Sequence, residues 1–129
     1  MKLGLAGSIL LFVLCLTSRA ADLTDADNQF LAGYEKVHAA LAADNLPEAK
    51  TAALEMKEDG APVASADSLI MARKGFATMS ERALSLTKGR AGYFHVYCPM
   101  AKKDWVQTSS KISNPYEGKE MVTCGVIKP

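Results

Sequence analysis

Chemically distinctive residues are scarce in this 129-residue chain: it has three cysteines, two histidines and one tryptophan. Zinc favours cysteine combined with histidine, and so few of either leave little from which to build a closed zinc centre. There is no Gly-rich phosphate loop, no His-Glu-x-x-His and no C-x-x-C, and neither an internal repeat nor a low-complexity tract occurs. Charge of one sign is missing as well. The formal net charge is +1, which gives no electrostatic reason to expect nucleic acid or an anionic membrane surface as a partner. A long hydrophobic run occurs once, from Leu3 to Leu16, behind Met1-Lys2 and ahead of the polar stretch Thr17-Ser18-Arg19-Ala20.

That run has the basic start, apolar centre and small-x-small end of a secretory signal peptide and is short for a membrane span. Cleavage is expected after Ala20, with Ser18 and Ala20 as the small residues, so residues 1–20 form the leader and Cys15 leaves with it. A lipid anchor would call for Gly or Ala before the cysteine, and Leu14 stands there instead. The expected product is a soluble periplasmic or secreted bacterial protein, residues 21–129, forming a single helical domain with no membrane insertion. Losing Lys2 and Arg19 turns the net charge from +1 to −1. A chain of this length can bury a modest single core.

The helical part reads clearly. Phe30, Tyr34, Val37 and Leu41 recur at helical spacing within a first helix over about 24–43, which Thr24 and Asp27 can open with a capping box. His38 lies beside this stripe and reads as a partly exposed helix residue. Asn45, Pro47 and Glu48 suit the start of a second helix, about 46–57, with Ala49, Ala52, Ala53 and Met56 on one side. A third is expected over about 65–88, striped by Leu69, Ala72, Phe76, Met79, Ala83 and Leu86 and stopped by Gly89. Arg73, on the edge of that stripe, either meets a carboxylate or backbone carbonyls of the C-terminal segment, or packs its stem while its head stays in water.

Beyond Gly89 the pattern changes. Tyr93–Cys98 is β-branched and aromatic and reads as extended; the remainder reads as loop and turn with one short helix around 104–109. The fold class expected is therefore mainly α: an antiparallel three- to four-helix bundle closed by an irregular Cys/Met segment over 93–125. Five of the nine aromatic residues fall in that segment, as do both cysteines that survive processing, Cys98 and Cys124.

Each of these cysteines has a methionine nearby, Met100 two residues after Cys98 and Met121 three before Cys124. Two thiolates and two thioethers make a soft donor set suited to copper(I) or silver(I), with His95 as a candidate further donor. The competing expectation is a Cys98–Cys124 disulfide, ordinary for two cysteines in an exported protein. Closing that loop would stabilise the fold by roughly 3.5 kcal/mol on the chain-entropy model. A Cys98 nucleophile with His95 as base is disfavoured, because residues three apart on an extended segment point to opposite faces. No enzymatic activity is expected.

The pattern Cys98-Pro99-Met100-Ala101, Trp105, Ile112, Asn114-Pro115-Tyr116-Glu117-Gly118-Lys119, Met121 and Cys124-Gly125 resembles the signature of a small domain. That domain is found at the C-terminus of CusB-type heavy-metal efflux adaptor proteins and as free-standing exported bacterial proteins. Tyr34, Ala40-Leu41, Ala49, Ala53, Arg73, Phe76 and Ser80 follow its sparser helical pattern. Lys102-Lys103-Asp104 leads straight to Trp105, where the family often has a longer, glycine-containing spacer. The resemblance implies an exported helical domain, monomeric or weakly dimeric, that buffers copper or silver or hands it to a periplasmic efflux adaptor or pump component. The alternative is a non-catalytic interaction module stapled by Cys98 and Cys124.

Overall fold

A computed structural model describes residues 21–129; the expected signal peptide and Cys15 lie outside them. The chain runs α1 (Asp25–Ala42), α2 (Leu46–Glu55), a 3-10 turn (Lys57–Gly60), a one-turn helix α3 (Ala61–Ala64), α4 (Leu69–Thr87), β1 (Phe94–Cys98), β2 (Lys103–Gln107), a second 3-10 turn (Gly118–Met121) and β3 (Val126–Ile127). The strands form an antiparallel sheet in the order β2-β1-β3. The fold is thus mixed α and β, and the expected mainly α bundle with an irregular C-terminal segment is corrected by this sheet. Among the described residues, no helix is long and apolar enough to cross a membrane.

Local chemistry sets the helix starts. Thr24 accepts from the Asp27 amide while the Asp27 carboxylate accepts from the Thr24 amide, closing the capping box of α1. Asn45 caps α2 through the Glu48 amide. The third helix expected from about residue 65 starts later, at Leu69, where Ser68 caps it by accepting from the Met71 amide, and the one-turn helix α3 ends before it at Ala64. A serine side chain that satisfies a free helix N–H favours a boundary even where no Gly or Pro marks one.

The segment expected to be a short helix near residue 104 is instead β2. Pro99–Lys102 forms a tight turn with Lys102 in the left-handed region, φ 53°, and returns the chain antiparallel to β1. Val96 lies opposite Trp105 and Cys98 opposite Lys103. Alternation along β1 turns Val96 and Cys98 inward and His95 and Tyr97 outward.

The core joins the two parts. Phe30, Tyr34, Val37 and Leu41 of α1 meet Ala49 and Ala53 of α2, Phe76, Met79 and Ala83 of α4, and Val96 and Trp105 of the sheet. Tyr34 stacks on Phe76 with ring centroids 4.7 Å apart. Tyr116, from the C-terminal segment, touches both Phe76 at 5.8 Å and Trp105 at 6.0 Å. A buried hydroxyl chain runs beside them: Tyr34 Oη lies 2.8 Å from Ser80 Oγ, and Tyr116 Oη donates to the same oxygen. Burial drives both phenols up, that of Tyr116 to about 12, so both stay protonated.

Candidate functional site

Cys98 ends β1 on its inward face and is fully buried; Cys124 follows the second 3-10 turn and is half-buried. Their sulfur atoms are 3.1 Å apart and both are free thiols. The Pro99–Lys102 turn folds back over Cys98, so that the Ala101 amide donates to its Sγ at 3.3 Å. Burial alone would push the Cys98 thiol up. The Ala101 amide, the Cys124 thiol, the Asn114 side chain and the Met100 amide together outweigh it and hold the Cys98 pKa below the ordinary cysteine value. Cys124 moves the opposite way, because it spends its proton on the Cys98 sulfur and is further raised by burial. One sulfur is therefore disposed to carry the negative charge and the other to keep the proton.

The second arm of the site is held by polar contacts from the helices. Asn114 is fully buried: its Nδ2 donates to the Cys124 carbonyl at 2.8 Å, and its Oδ1 accepts from the Tyr116 and Glu117 amides. The Asn114 amide donates to the Val122 carbonyl at 2.7 Å, closing the loop that carries Cys124. His38, expected to be partly exposed, is buried because its Nε2 donates to the Ser113 carbonyl at 2.6 Å.

Arg73 Nε donates to the Pro115 carbonyl, while its Nη2 reaches the Leu41 carbonyl and the Asp44 carboxylate. The Arg73 side chain leads the causes that hold Asp44 well below the usual carboxylate range, followed by the Lys119 amide. Gly118, with φ 61°, sits against this pair, and a Cβ there would stand 1.9 Å from Asp44 Oδ1. Gly125 likewise lies against Val96 and Trp105, where a side chain would collide.

The other sequence-derived candidates are distributed as follows. Met100 points to solvent at 66 % exposure, and it is the Met100 backbone amide that faces the sulfur pair. Met121 is 37 % exposed; its carbonyl accepts from the Cys124 amide at 2.9 Å. Pro99 opens the turn, and Trp105 is fully buried, donating from Nε1 to Gln107 Oε1. His95 lies on the opposite face of β1 from Cys98, where its Nε2 meets Asp104 Oδ1 at 2.6 Å alongside Lys128. It is therefore set apart from the sulfurs by strand alternation. Asp44, the Ala101 amide and the bond of His38 to the Ser113 carbonyl escaped sequence reading; the only signal for Asp44 was its place in the Asp44-Asn45 break between two helices.

Among the described residues, no group of three or more His, Cys, Asp or Glu side chains gathers as a metal cluster would. The donor set at the sulfur pair is two sulfurs, one of them disposed to be a thiolate, with backbone N–H groups around it. Thiolate sulfur is a donor that soft monovalent ions prefer, whereas zinc and hard cations call for further nitrogen or oxygen donors. Comparison with protein-family models, curated proteins and solved structures finds no match for this chain.

Proposed function

We propose that this is an exported protein that binds a soft monovalent ion, copper(I) or silver(I), as cargo on Cys98 and Cys124. The observation that carries the reading is the convergence of the two sulfurs to 3.1 Å with the Cys98 sulfur cradled by the Ala101 amide. The thiolate is the form of cysteine that ligates metal, and the cradle favours that form at Cys98. Met100 and Met121, exposed beside the pair in sequence, would supply thioethers from the solvent side. Such a protein would buffer the ion, or hand it to an efflux adaptor or pump component, in the periplasm. The reduced protein is expected to take up one copper(I) per chain against a competing chelator. Binding no tighter than in a Cys98→Ser, Cys124→Ser double variant would end the proposal.

A second reading rests on the same distance: in an oxidising compartment two free thiols this close are placed to become a disulfide. The protein would then be a non-catalytic interaction module whose C-terminal segment is stapled, with Met100 and Met121 as surface apolar residues. Intact mass with and without reduction and alkylation separates the two. Protein recovered fully reduced from its own compartment excludes the staple.

A further inference from the structure

Access to the two sulfurs differs, and the difference has a chemical consequence. Cys98 shows no surface, its side chain turned into the core beneath the Pro99–Lys102 turn. Cys124 is half-buried in the loop after the second 3-10 turn, between residues that are themselves largely at the surface. Thiol–disulfide exchange proceeds by attack of a thiolate on one sulfur of a disulfide, so the sulfur that can be reached decides the course of reaction.

We propose that the Cys98–Cys124 pair undergoes reversible exchange with low-molecular-weight thiols and their disulfides, Cys124 meeting the external sulfur and Cys98 opening or closing the internal bond. The proposal shares its two sulfurs with the readings above and requires neither copper nor silver.

Starting from the oxidised pair, an external thiolate attacks Cys124 Sγ. The new bond joins the external sulfur to Cys124, the Cys98–Cys124 bond breaks, and Cys98 leaves with the electron pair as a thiolate. That thiolate is received by the Ala101 N–H, already 3.3 Å from the sulfur. A second external thiolate attacks the external sulfur of the mixed disulfide; Cys124 leaves and takes up a proton. Two external thiols are thus oxidised to one disulfide, and the protein disulfide is reduced to two thiols. In the reverse direction Cys124 attacks the external disulfide, and Cys98, 3.1 Å away, resolves the adduct.

The test is to mix the oxidised protein with glutathione, quench with acid at short times and map the adduct by peptide mass. Lys102, Lys103, Lys111 and Lys119 lie between the two cysteines, so tryptic peptides report on each separately. The adduct is expected on Cys124 in at least tenfold excess over Cys98. With oxidised glutathione, Cys98→Ser should accumulate a stable adduct at Cys124, and Cys124→Ser should react at least tenfold more slowly until unfolded in urea.

An adduct chiefly on Cys98, equal labelling of both positions, or a disulfide that glutathione neither opens nor labels overturns the proposal. Mapping on the unsubstituted protein remains decisive if a variant fails to fold. The copper(I) competition is an equilibrium measurement on reduced protein, so failure of exchange and failure of metal binding are told apart.

Discussion

The helical part, residues 25–87, and the C-terminal part, residues 94–127, are held in different ways. In the first, the starts of α1, α2 and α4 are set by neighbours three residues apart, Thr24 with Asp27, Asn45 with Glu48 and Ser68 with Met71. In the second, backbone carbonyls and amides are met by side chains distant in sequence: Ser113 by His38, Pro115 by Arg73, Val106 by Tyr34 and Lys119 by Asp44. The helices would keep their local signals in isolation, whereas the sulfur loop takes its shape from polar groups that the helices present. The sulfur site is therefore a product of tertiary structure, even though both its cysteines lie in one short stretch of chain.

The largest expected effect comes from removing the hinge between the parts. Trp105→Ala deletes a fully buried indole that packs against Tyr116 and should destabilise the protein by about 3–5 kcal/mol, read by urea denaturation. A loss below about 1 kcal/mol would mean that the sheet is not docked on the helices as described.

Next comes Arg73→Ala, which removes one donor each from the Pro115 carbonyl, the Leu41 carbonyl and the Asp44 carboxylate. Hydrogen bonds from charged groups are worth about 1.5–3 kcal/mol, and a loss in that range is expected. The comparison is sharpened by a second readout: alkylation of Cys124 should accelerate while helical circular dichroism is unchanged. Lysine should rescue poorly, since it lacks the planar fork that serves several acceptors at once.

Apart from the start of α4, set locally by Ser68 with no Gly or Pro beside it, the segments that escaped sequence reading are those whose structure depends on distant partners. The α1 start, the α2 start, the extended character of Phe94–Cys98 and the reach of Arg73 to carbonyls and a carboxylate were legible, each from local pattern or from position on a stripe. β2 was not, because Lys103-Asp104-Trp105-Val106-Gln107 carries a single β-branched residue and becomes a strand by pairing with β1. β3, two residues long, is likewise defined only by its partner. Sulfur spacing pointed to Cys98 and Cys124 as one site, but it could not show that Met100 and Met121 turn their side chains toward water.

A smaller effect is read in the pH dependence of stability. The folded pKa of Asp44 is depressed, chiefly by its bond to Arg73. Its contribution to stability is therefore fully present above the ordinary Asp value of about 3.9 and is lost as pH falls through the lower folded value. Asp44→Asn should flatten that part of the acid limb of stability against pH; an unchanged acid limb would show that the Arg73–Asp44 pair does not tie the loop to the helices. The smallest effect is expected at Thr24→Ala, which removes the α1 cap at about 1 kcal/mol. It should leave the alkylation rates of Cys98 and Cys124 unaltered, and a change there would contradict the separation of local from distant control.

The most direct test of the sulfur site is mild oxidation of the folded, reduced protein at low concentration, followed by intact mass and peptide mapping. Rapid loss of two hydrogens per chain with a single Cys98–Cys124 cross-linked peptide, formed several-fold more slowly when the protein is oxidised in urea at the same concentration, is the result expected. Dimers linked between chains, or two separately oxidised sulfurs with no internal bridge, would show that folding does not bring these side chains together.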